Sequence, residues 1–236
     1  MTIKGLNACI ETIKTNDNIK KIKIYKNLKI VKKSEIEKLA KNKQIQLVYV
    51  DEKNTKAQGI EVIVELELDQ TNLENYLVES FSEEKNIILI LDRIQDPQNL
   101  GAIIRSAAAF NVSAIILPKN NCVSINETVI KTSAGCINYL KIIYVTNISD
   151  SIEKLKKADF WIYGTDVENG KNFLDEKFDK KSALVIGNEG SGIRQKVKEK
   201  CDIMLNINMK EKINSLNVSV ASGIILSKMY NEVFKS

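Results

Sequence analysis

Residues 86–118 have the sequence NIILILDRIQDPQNLGAIIRSAAAFNVSAIILP, and this stretch decides the fold class. Two short, almost continuous apolar runs flank a turn at Asp96-Pro97 and a segment of small residues that is typical of a helix. Four more apolar runs of the same kind follow it: KIIYV, FWIYGT, SALVIG and DIMLNI. Strands with this pattern are buried on both faces, so residues 87–236 are predicted to form a parallel α/β sheet covered by helices.

Residues 1–76 have a less regular pattern, which predicts a separate and smaller α/β domain. The run GLNACIETIK predicts a helix, whereas KIKIYKNLKIV (residues 21–31) and IQLVYV predict strands. Ser34 followed by Glu37 forms a capping box, which predicts that a second helix begins there. The polar and charged residues 77–86 then predict a linker between the two domains.

The composition excludes several classes of protein. Histidine is absent, which excludes Ser-His-Asp and Cys-His catalysis and His-ligated zinc. The four cysteines are scattered without the spacing of a metal site, so we expect reduced thiols and no metal. No apolar run approaches the roughly 18 residues of a membrane span, and the first residues lack the apolar region of a secretory signal. We therefore expect a cytoplasmic protein without a membrane partner.

Positive charge is concentrated at the N-terminal end of the chain. Residues 1–43 contain twelve lysines and four acidic residues, a net charge of +8, whereas the whole chain carries +5. A basic end on a nearly neutral body favours a polyanionic partner, and nucleic acid first. The alternative is a compositional bias toward Lys, Ile and Asn, which extends through the rest of the chain.

The first candidate ligand-binding segment follows the first strand of the predicted sheet. Ligands of open α/β sheets bind beyond the carboxyl ends of the strands, and here that position leads to Asn99 and Arg105. These two residues lie on overlapping sides of the start of a helix made of small residues. Arg105 is one of only three arginines in a lysine-rich chain. The alternative is an ordinary surface arginine on an amphipathic helix.

The second candidate segment is GNEGSG, residues 187–192. Three glycines in six residues indicate positive φ angles or close approach of a ligand, although a tight strand-to-helix turn is the alternative. The spacing matches neither a dinucleotide-binding motif nor a phosphate loop. Glu189 within the loop also opposes phosphate binding, so a neutral or cationic ligand fits better.

The third candidate segment, SLNVSVASGIIL (residues 215–226), follows the last predicted strand. Taken alone, Ser215 and Asn217 are most simply helix caps. In order, spacing and residue type, however, the segments NLGAIIRSA, ALVIGNEGSGI and SLNVSVASGIIL together resemble the three motifs of the SpoU (TrmH) family of the SPOUT superfamily. The resemblance covers residues 87–231.

This resemblance implies an activity. The family consists of S-adenosylmethionine-dependent RNA ribose 2′-O-methyltransferases, whose parallel-sheet domain contains a deep trefoil knot. The region from GLNACIETI to AQGIEVIV is similar to the family's ribosomal-protein-like RNA-binding domain, which implies the branch that methylates a guanosine of large-subunit ribosomal RNA. A transfer RNA target is the alternative within the family. Outside this activity, the alternatives are a catalytically silent RNA-binding protein and an α/β enzyme for a nucleotide cofactor.

The resemblance also implies the site residues. Arg105 takes the position of the family's catalytic arginine, and we expect it to clamp a phosphate and stabilise the developing alkoxide. A role as base is less favoured because guanidinium groups keep their protons. Asn99 and Glu189 would orient Arg105 and the hydroxyl, while Ser215 and Asn217 would fix the third segment. The residues expected to contact S-adenosylmethionine through their backbone are Thr165, Gly187, Ile207 and Leu216.

Family likeness further implies a homodimer, with the slim helices at 99–110 and 217–231 near its two-fold interface. Arg105 would then serve either its own cofactor or that of the partner. The chain departs from the family pattern in three places. Ala57-Gln58-Gly59 stands where His-Gln-Gly is frequent, Asn208 replaces a common proline, and Glu211-Lys212 replace a glycine-containing turn. These departures concern the shape of the cofactor loop rather than the reaction class.

Overall fold

A computed structural model describes residues 2–16, 19–64, 71–167, 169–210 and 215–235. The strands within these ranges are β1 (Thr2–Lys4), β2 (Ile19–Tyr25), β3 (Leu47–Val50), β4 (Ile60–Val64), β5 (Asn86–Leu91), β6 (Val112–Pro118), β7 (Lys141–Val145), β8 (Trp161–Thr165), β9 (Lys171–Asn172), β10 (Lys181–Ile186) and β11 (Ile203–Asn206). The α-helices are α1 (Leu6–Thr15), α2 (Ile30–Asn42), α3 (Leu73–Glu79), α4 (Pro97–Ala109), α5 (Glu127–Thr132), α6 (Ile148–Lys157), α7 (Gln195–Lys198) and α8 (Val218–Tyr230).

The chain forms two compact units. Unit 1 consists of Met1–Leu68 and Ile125–Tyr139, and unit 2 consists of Asp69–Ser124 and Leu140–Ser236. None of the described helices is long and apolar enough to cross a membrane.

Unit 1 contains a four-stranded sheet in the order β1-β4-β2-β3. Strand β4 runs antiparallel to β1 and β2, whereas β2 and β3 are parallel. In β2 the isoleucines Ile22 and Ile24 alternate with lysines, so the isoleucines are buried and the lysines remain partly exposed. Helix α1 buries Cys9, Ile10 and Ile13. This alternation produces an apolar core beneath a basic outer face.

The start of α2 differs from the prediction. Ser34 does not cap the helix, because α2 begins four residues earlier at Ile30 and the Ser34 hydroxyl donates to the Ile30 carbonyl inside it. The apolar run at residues 21–31 is also not one strand. It ends at Tyr25, whose carbonyl accepts a hydrogen bond from Leu28 N at 3.0 Å and closes a turn. Ile30 and Val31 therefore belong to the exposed first turn of a helix.

Residues 125–139 of unit 1 pack on α1. Gly135, at φ +83°, approaches α1 so closely that a Cβ at this position would lie 3.0 Å from the Cβ of Glu11. The Asn138 side chain donates to Thr15 Oγ1 at 3.1 Å and accepts from the Asn16 amide at 3.2 Å. The polar face of α1 is thus completed by a segment more than one hundred residues away.

Unit 2 contains the predicted parallel sheet, in the order β7-β6-β5-β10-β8-β11-β9. Its strand pairs within the described residues are all parallel, and the six apolar runs identified from the sequence are its six longer strands. Strand β5 is buried along its whole length, as expected for a strand covered on both faces. The predicted α/β parallel-sheet fold is therefore confirmed, and the trefoil knot stays a prediction.

Helix α3 belongs to unit 2, because Leu73 and Tyr76 are buried in its core. The Tyr76 hydroxyl lies 2.6 Å from Ser113 Oγ and accepts from the Asn86 amide at 3.0 Å. The bounds 1–76, 77–86 and 87–236 stay a prediction about which segments fold independently. In the structure the compact units instead change at residue 69, and residues 125–139 join the first of them.

Because unit 1 is built from two separate segments of the chain, it predicts how isolated fragments should behave. A fragment of residues 1–76 lacks the segment that covers α1, so it should unfold at lower temperature than the same fragment joined by a flexible linker to residues 125–139. Circular dichroism melting of the two fragments measures the difference. Equal melting temperatures would show that residues 125–139 are not part of the independently folding unit.

Candidate functional site

The carboxyl ends of three neighbouring strands of unit 2 surround one pocket of about 510 Å³. Its walls come from the residues that follow β8, β10 and β11 and from the first turns of α8. This is the edge of a parallel sheet at which ligands bind. Six of the nine predicted site residues line the pocket: Thr165, Gly187, Glu189, Ile207, Ser215 and Leu216.

Asn99 and Asn217 complete a hydrogen-bonded chain at the mouth of the pocket. The Asn217 amide donates to Asn99 Oδ1 at 3.0 Å, and the Asn99 amide donates to Glu189 Oε1 at 3.0 Å. One residue from each of the three predicted segments is therefore linked side chain to side chain. The second carboxylate oxygen of Glu189 accepts from the Asn188 amide at 3.1 Å, so both oxygens have a donor.

Asn217 has two structural roles at once. It is the N-cap of α8, and its Oδ1 accepts from Ser219 N at 2.8 Å and from Ser219 Oγ at 2.6 Å. The same side chain donates through its amide nitrogen to Asn99. Helix capping, which is one interpretation of the sequence, therefore coexists with placement at the site. Ser215 lies exposed on the pocket wall and is not the cap.

The loop at 187–192 requires glycine for close backbone approach. A Cβ on Gly187 would lie 2.2 Å from the carbonyl carbon of Gly192, and Gly192 itself has φ +64°. Asn188 and Gly192 exchange two backbone hydrogen bonds at 3.0 and 3.1 Å. Asn188 Oδ1 also accepts from Gly190 N at 3.0 Å and from Ser191 N at 3.1 Å. These bonds close the loop into a compact turn that holds Glu189 outward.

A buried ion pair, which the sequence patterns did not reveal, holds this loop to the end of β5. The Asp92 carboxylate is fully buried and accepts from Arg194 at its backbone N (3.0 Å), Nε (2.9 Å) and Nη2 (2.8 Å). Arg93, with φ +65°, places its Nε 3.7 Å from the same carboxylate and donates to Ser191 Oγ. Two of the three arginines therefore surround one carboxylate. The scarcity of arginine is the feature of the sequence that could have indicated a special role for these residues.

The pocket contains few charged groups. Among its described lining residues, the ionisable side chains are Asp166, Glu189 and Lys198. Lys198 Nζ lies 2.7 Å from Asp166 Oδ2, so these two charges compensate each other. Nearby, burial and the negative charge of Glu189 raise the pKa of the Cys122 thiol to about 11. Among these described lining side chains, Glu189 is thus the one without an ion pair, and its charge is negative.

Arg105 does not reach the pocket of its own chain. It is exposed on α4 and forms no hydrogen bond or ion pair with any residue in the described part of the chain. Asn99 and Arg105 are six positions apart, which separates their directions by roughly 120° around a helix, more than the overlapping sides expected from the sequence. The face of α4 that meets α8 instead carries Ser106, whose Oγ would lie 3.5 Å from a Cβ on Gly223.

The three departures from the family pattern lie at different places in the chain. Asn208 is exposed between Ile207 and Met209, both of which line the pocket. Glu211-Lys212 lie outside the described residues. In unit 1, Gln58 has φ +55°, and its side-chain oxygen accepts from Leu6 N at 2.9 Å at the start of α1.

Comparison with known proteins gives consistent matches. The family model described as the SpoU rRNA Methylase family matches residues 86–227. A Bacillus subtilis (strain 168) protein, YacO, named as a TrmH family tRNA/rRNA methyltransferase, is 34% identical over 238 residues, covering 97% of this chain and 94% of YacO. A protein of Borreliella burgdorferi named as a tRNA/rRNA methyltransferase is 38% identical over 213 residues, covering 84% of this chain and 93% of its own length.

Two solved structures have the same fold. The SpoU methyltransferase AviRb from Streptomyces viridochromogenes, in complex with the cofactor AdoMet, aligns with a TM-score of 0.84 at 18% identity and covers 100% of this chain and 91% of its own. The AdoMet-bound rRNA methyltransferase from Sinorhizobium meliloti aligns with a TM-score of 0.80 at 21% identity, covering 100% of this chain and 88% of its own.

The Asp92–Arg194 pair predicts a stability effect. Arg194→Ala leaves a buried carboxylate without its main partner, which should lower the free energy of unfolding by about 3–5 kcal/mol. Lys200→Ala is the matched control, because it removes a surface ion pair of 2.7 Å to Glu153 that should contribute no more than about 1 kcal/mol. Urea unfolding of both variants measures the two effects. Equal losses would contradict a specific role of the buried pair.

Proposed function

This chain belongs to the SpoU rRNA methylase family, and from that membership we propose that it transfers a methyl group from S-adenosylmethionine to a ribose 2′-hydroxyl of RNA. The observation that carries the proposal is the hydrogen-bonded chain Asn217–Asn99–Glu189 at the mouth of a pocket on the carboxyl edge of the sheet. Each of these residues comes from a different one of the three family motifs.

The pocket suits S-adenosylmethionine in size and charge. Its volume of about 510 Å³ is in the range of small-molecule sites, roughly 300–1,000 Å³. Aliphatic residues and glycine backbone form most of the wall, which favours an adenine ring, and the uncompensated negative charge of Glu189 favours a sulfonium cation. The residues that would hold the cofactor are Thr165, Gly187, Ile207 and Leu216. When bound, S-adenosylmethionine supplies an electrophilic methyl group on sulfur.

The protein's own groups provide position and charge rather than a strong base. Asn99 and Asn188 fix the direction of the Glu189 carboxylate, so that it can orient the incoming hydroxyl. Alignment of two reactants can supply about 7–11 kcal/mol of a barrier. Arg105 presents a planar guanidinium that can bind a phosphate through two hydrogen bonds and stabilise the alkoxide as it forms, while the hydroxyl proton passes to solvent water.

The exposed position of Arg105 favours a site assembled by two subunits. Arg105 lies outside its own chain's pocket, and α4 and α8 form a shallow apolar groove next to it. Val220 and Ile224 in this groove are 49% and 37% exposed. A homodimer formed across this groove would cover these side chains and could direct Arg105 toward the pocket of the partner.

A guanosine of large-subunit ribosomal RNA is the proposed target. The support is the N-terminal unit, which is similar to the RNA-binding domain of that branch and carries the excess of lysines. Transfer RNA is the second candidate, because the names of the relatives include both kinds of RNA. A silent RNA-binding protein is less favoured, since it would have no use for the Asn217–Asn99–Glu189 chain. We propose a cytoplasmic location for this activity.

The Arg105→Lys variant tests whether Arg105 acts as a planar clamp or only as a positive charge. If the planar guanidinium binds phosphate and alkoxide, lysine should lower turnover at least about 100-fold, the scale for removal of one oxyanion donor. The affinity for S-adenosylmethionine should not change, because Arg105 does not line the pocket. Methyl transfer from radiolabelled cofactor to ribosomal and transfer RNA, with calorimetric cofactor binding, measures both quantities. Near wild-type turnover would contradict the clamp.

Mixed dimers test whose pocket Arg105 serves. If it acts on the partner's pocket, mixing inactive Arg105→Ala and Glu189→Gln proteins restores activity, because each mixed dimer then contains one site with both residues intact. If Arg105 acts within its own subunit, both sites of the mixed dimer carry a lesion and no activity returns. A monomer in sedimentation velocity that retains full activity would exclude the shared site.

A further inference from the structure

Unit 1 exposes large apolar side chains at one place on α2 and β3. Ile30 is 82% exposed, Val31 is 80% exposed and Tyr49 is 56% exposed. Ile30 and Val31 belong to the first turn of α2, and Tyr49 lies on β3, an edge strand of the sheet. Exposed apolar residues that cluster in this way mark a binding surface more often than isolated ones do.

Side-chain contacts join Tyr49 to α2. Lys33 Nζ lies 4.8 Å from the centre of the Tyr49 ring, and the Tyr49 hydroxyl donates to Glu37 at 2.6 Å. Lys33 and Glu37 are one helical turn apart, and Ile30 lies three positions before Lys33 on the same side of the helix. Ile30, Lys33 and Tyr49 therefore form one continuous surface, which we name the Tyr49 surface.

The charge around the Tyr49 surface is positive and largely unpaired. Within the described residues, Lys29, Lys33 and Lys38 have no ion pair, whereas Glu37 is bonded to Tyr49 and Glu35 to Lys32. The first turn of α2 contains no acidic residue. Positive charge at that end of a helix opposes the helix dipole, so Lys29 and Lys33 do not serve helix stability.

Lysine around an aromatic ring distinguishes between classes of partner. The cores of protein–protein interfaces are depleted of lysine, which disfavours a protein partner for this surface. Single-stranded nucleic acid needs both features, because its bases stack on aromatic rings while basic side chains contact its phosphates. A perfectly paired duplex hides the faces of its bases and would use only the lysines.

We infer that the Tyr49 surface binds an unpaired base of the substrate RNA, with the base on Tyr49 and Ile30 and the flanking phosphates on Lys29 and Lys33. This inference rests on the proposed function for the identity of the partner. It adds a base-stacking contact to the phosphate contacts that the lysine excess alone predicts. The unit would then select RNA with an exposed loop over fully paired RNA.

The test uses the full-length protein with a single-stranded RNA oligonucleotide and with its perfectly paired duplex. Tyr49→Ala and Ile30→Ser should each weaken binding to the single strand about fivefold or more, the effect of losing one stacked base, without changing the salt dependence. Tyr49→Phe retains the ring and should bind as the wild type does. Lys33→Gln should weaken both RNAs and reduce the salt slope by about one.

Val78→Ser is the matched control, because Val78 is 77% exposed in unit 2 and should have no effect. Wild-type affinity of Tyr49→Ala and Ile30→Ser for the single strand would overturn the inference and leave a protein partner for this surface. S-adenosylmethionine binding and methyl transfer are measured on every variant. If the wild type methylates no RNA but Tyr49→Ala still weakens RNA binding, the proposed function fails and the inference stands.

Discussion

The side-chain amide of Asn99 is the interaction on which the candidate site depends. It accepts a hydrogen bond from Asn217 and donates one to Glu189, residues that are 118 and 90 positions away in the chain. A single amide offers its acceptor and its donors in fixed directions, so both bonds form only when all three segments meet at the same edge of the sheet. The geometry of that meeting sets where a substrate hydroxyl can lie relative to the pocket.

Two other features keep the three segments in place. The buried Asp92 carboxylate ties Arg194, just after the glycine loop, to the end of β5. Small residues then let α8 approach α4, since a Cβ added to Gly223 would lie 3.5 Å from Ser106 Oγ. Together they explain why a chain rich in lysine places arginine and glycine at these particular positions.

The sequence was most informative where structure is local. Six apolar runs predicted six parallel strands, because a strand that is buried on both faces consists almost entirely of apolar residues. Two contacts could not be predicted in this way: that of residues 125–139 with α1, and that between Asp92 and Arg194. Both join segments that are distant in the chain, and the periodicity of apolar residues gives no information about such contacts. The predicted start of α2 was wrong. Ser34 and Glu37 match a capping pattern, but the helix begins at Ile30, directly after the turn that Leu28 closes with Tyr25. Arg105 was recognised by its position in a motif, yet no described residue of its own chain forms a hydrogen bond or ion pair with it.

The most direct test of RNA methylation by this protein is to map ribose 2′-O-methyl groups in ribosomal and transfer RNA before and after deletion of its gene in the source organism. After the deletion, one guanosine of large-subunit ribosomal RNA should lose its 2′-O-methyl group. The wild-type gene should restore this group, and the Arg105→Lys gene should not. Unchanged methylation maps of both RNAs after deletion would contradict the claim that the chain is an RNA ribose methyltransferase.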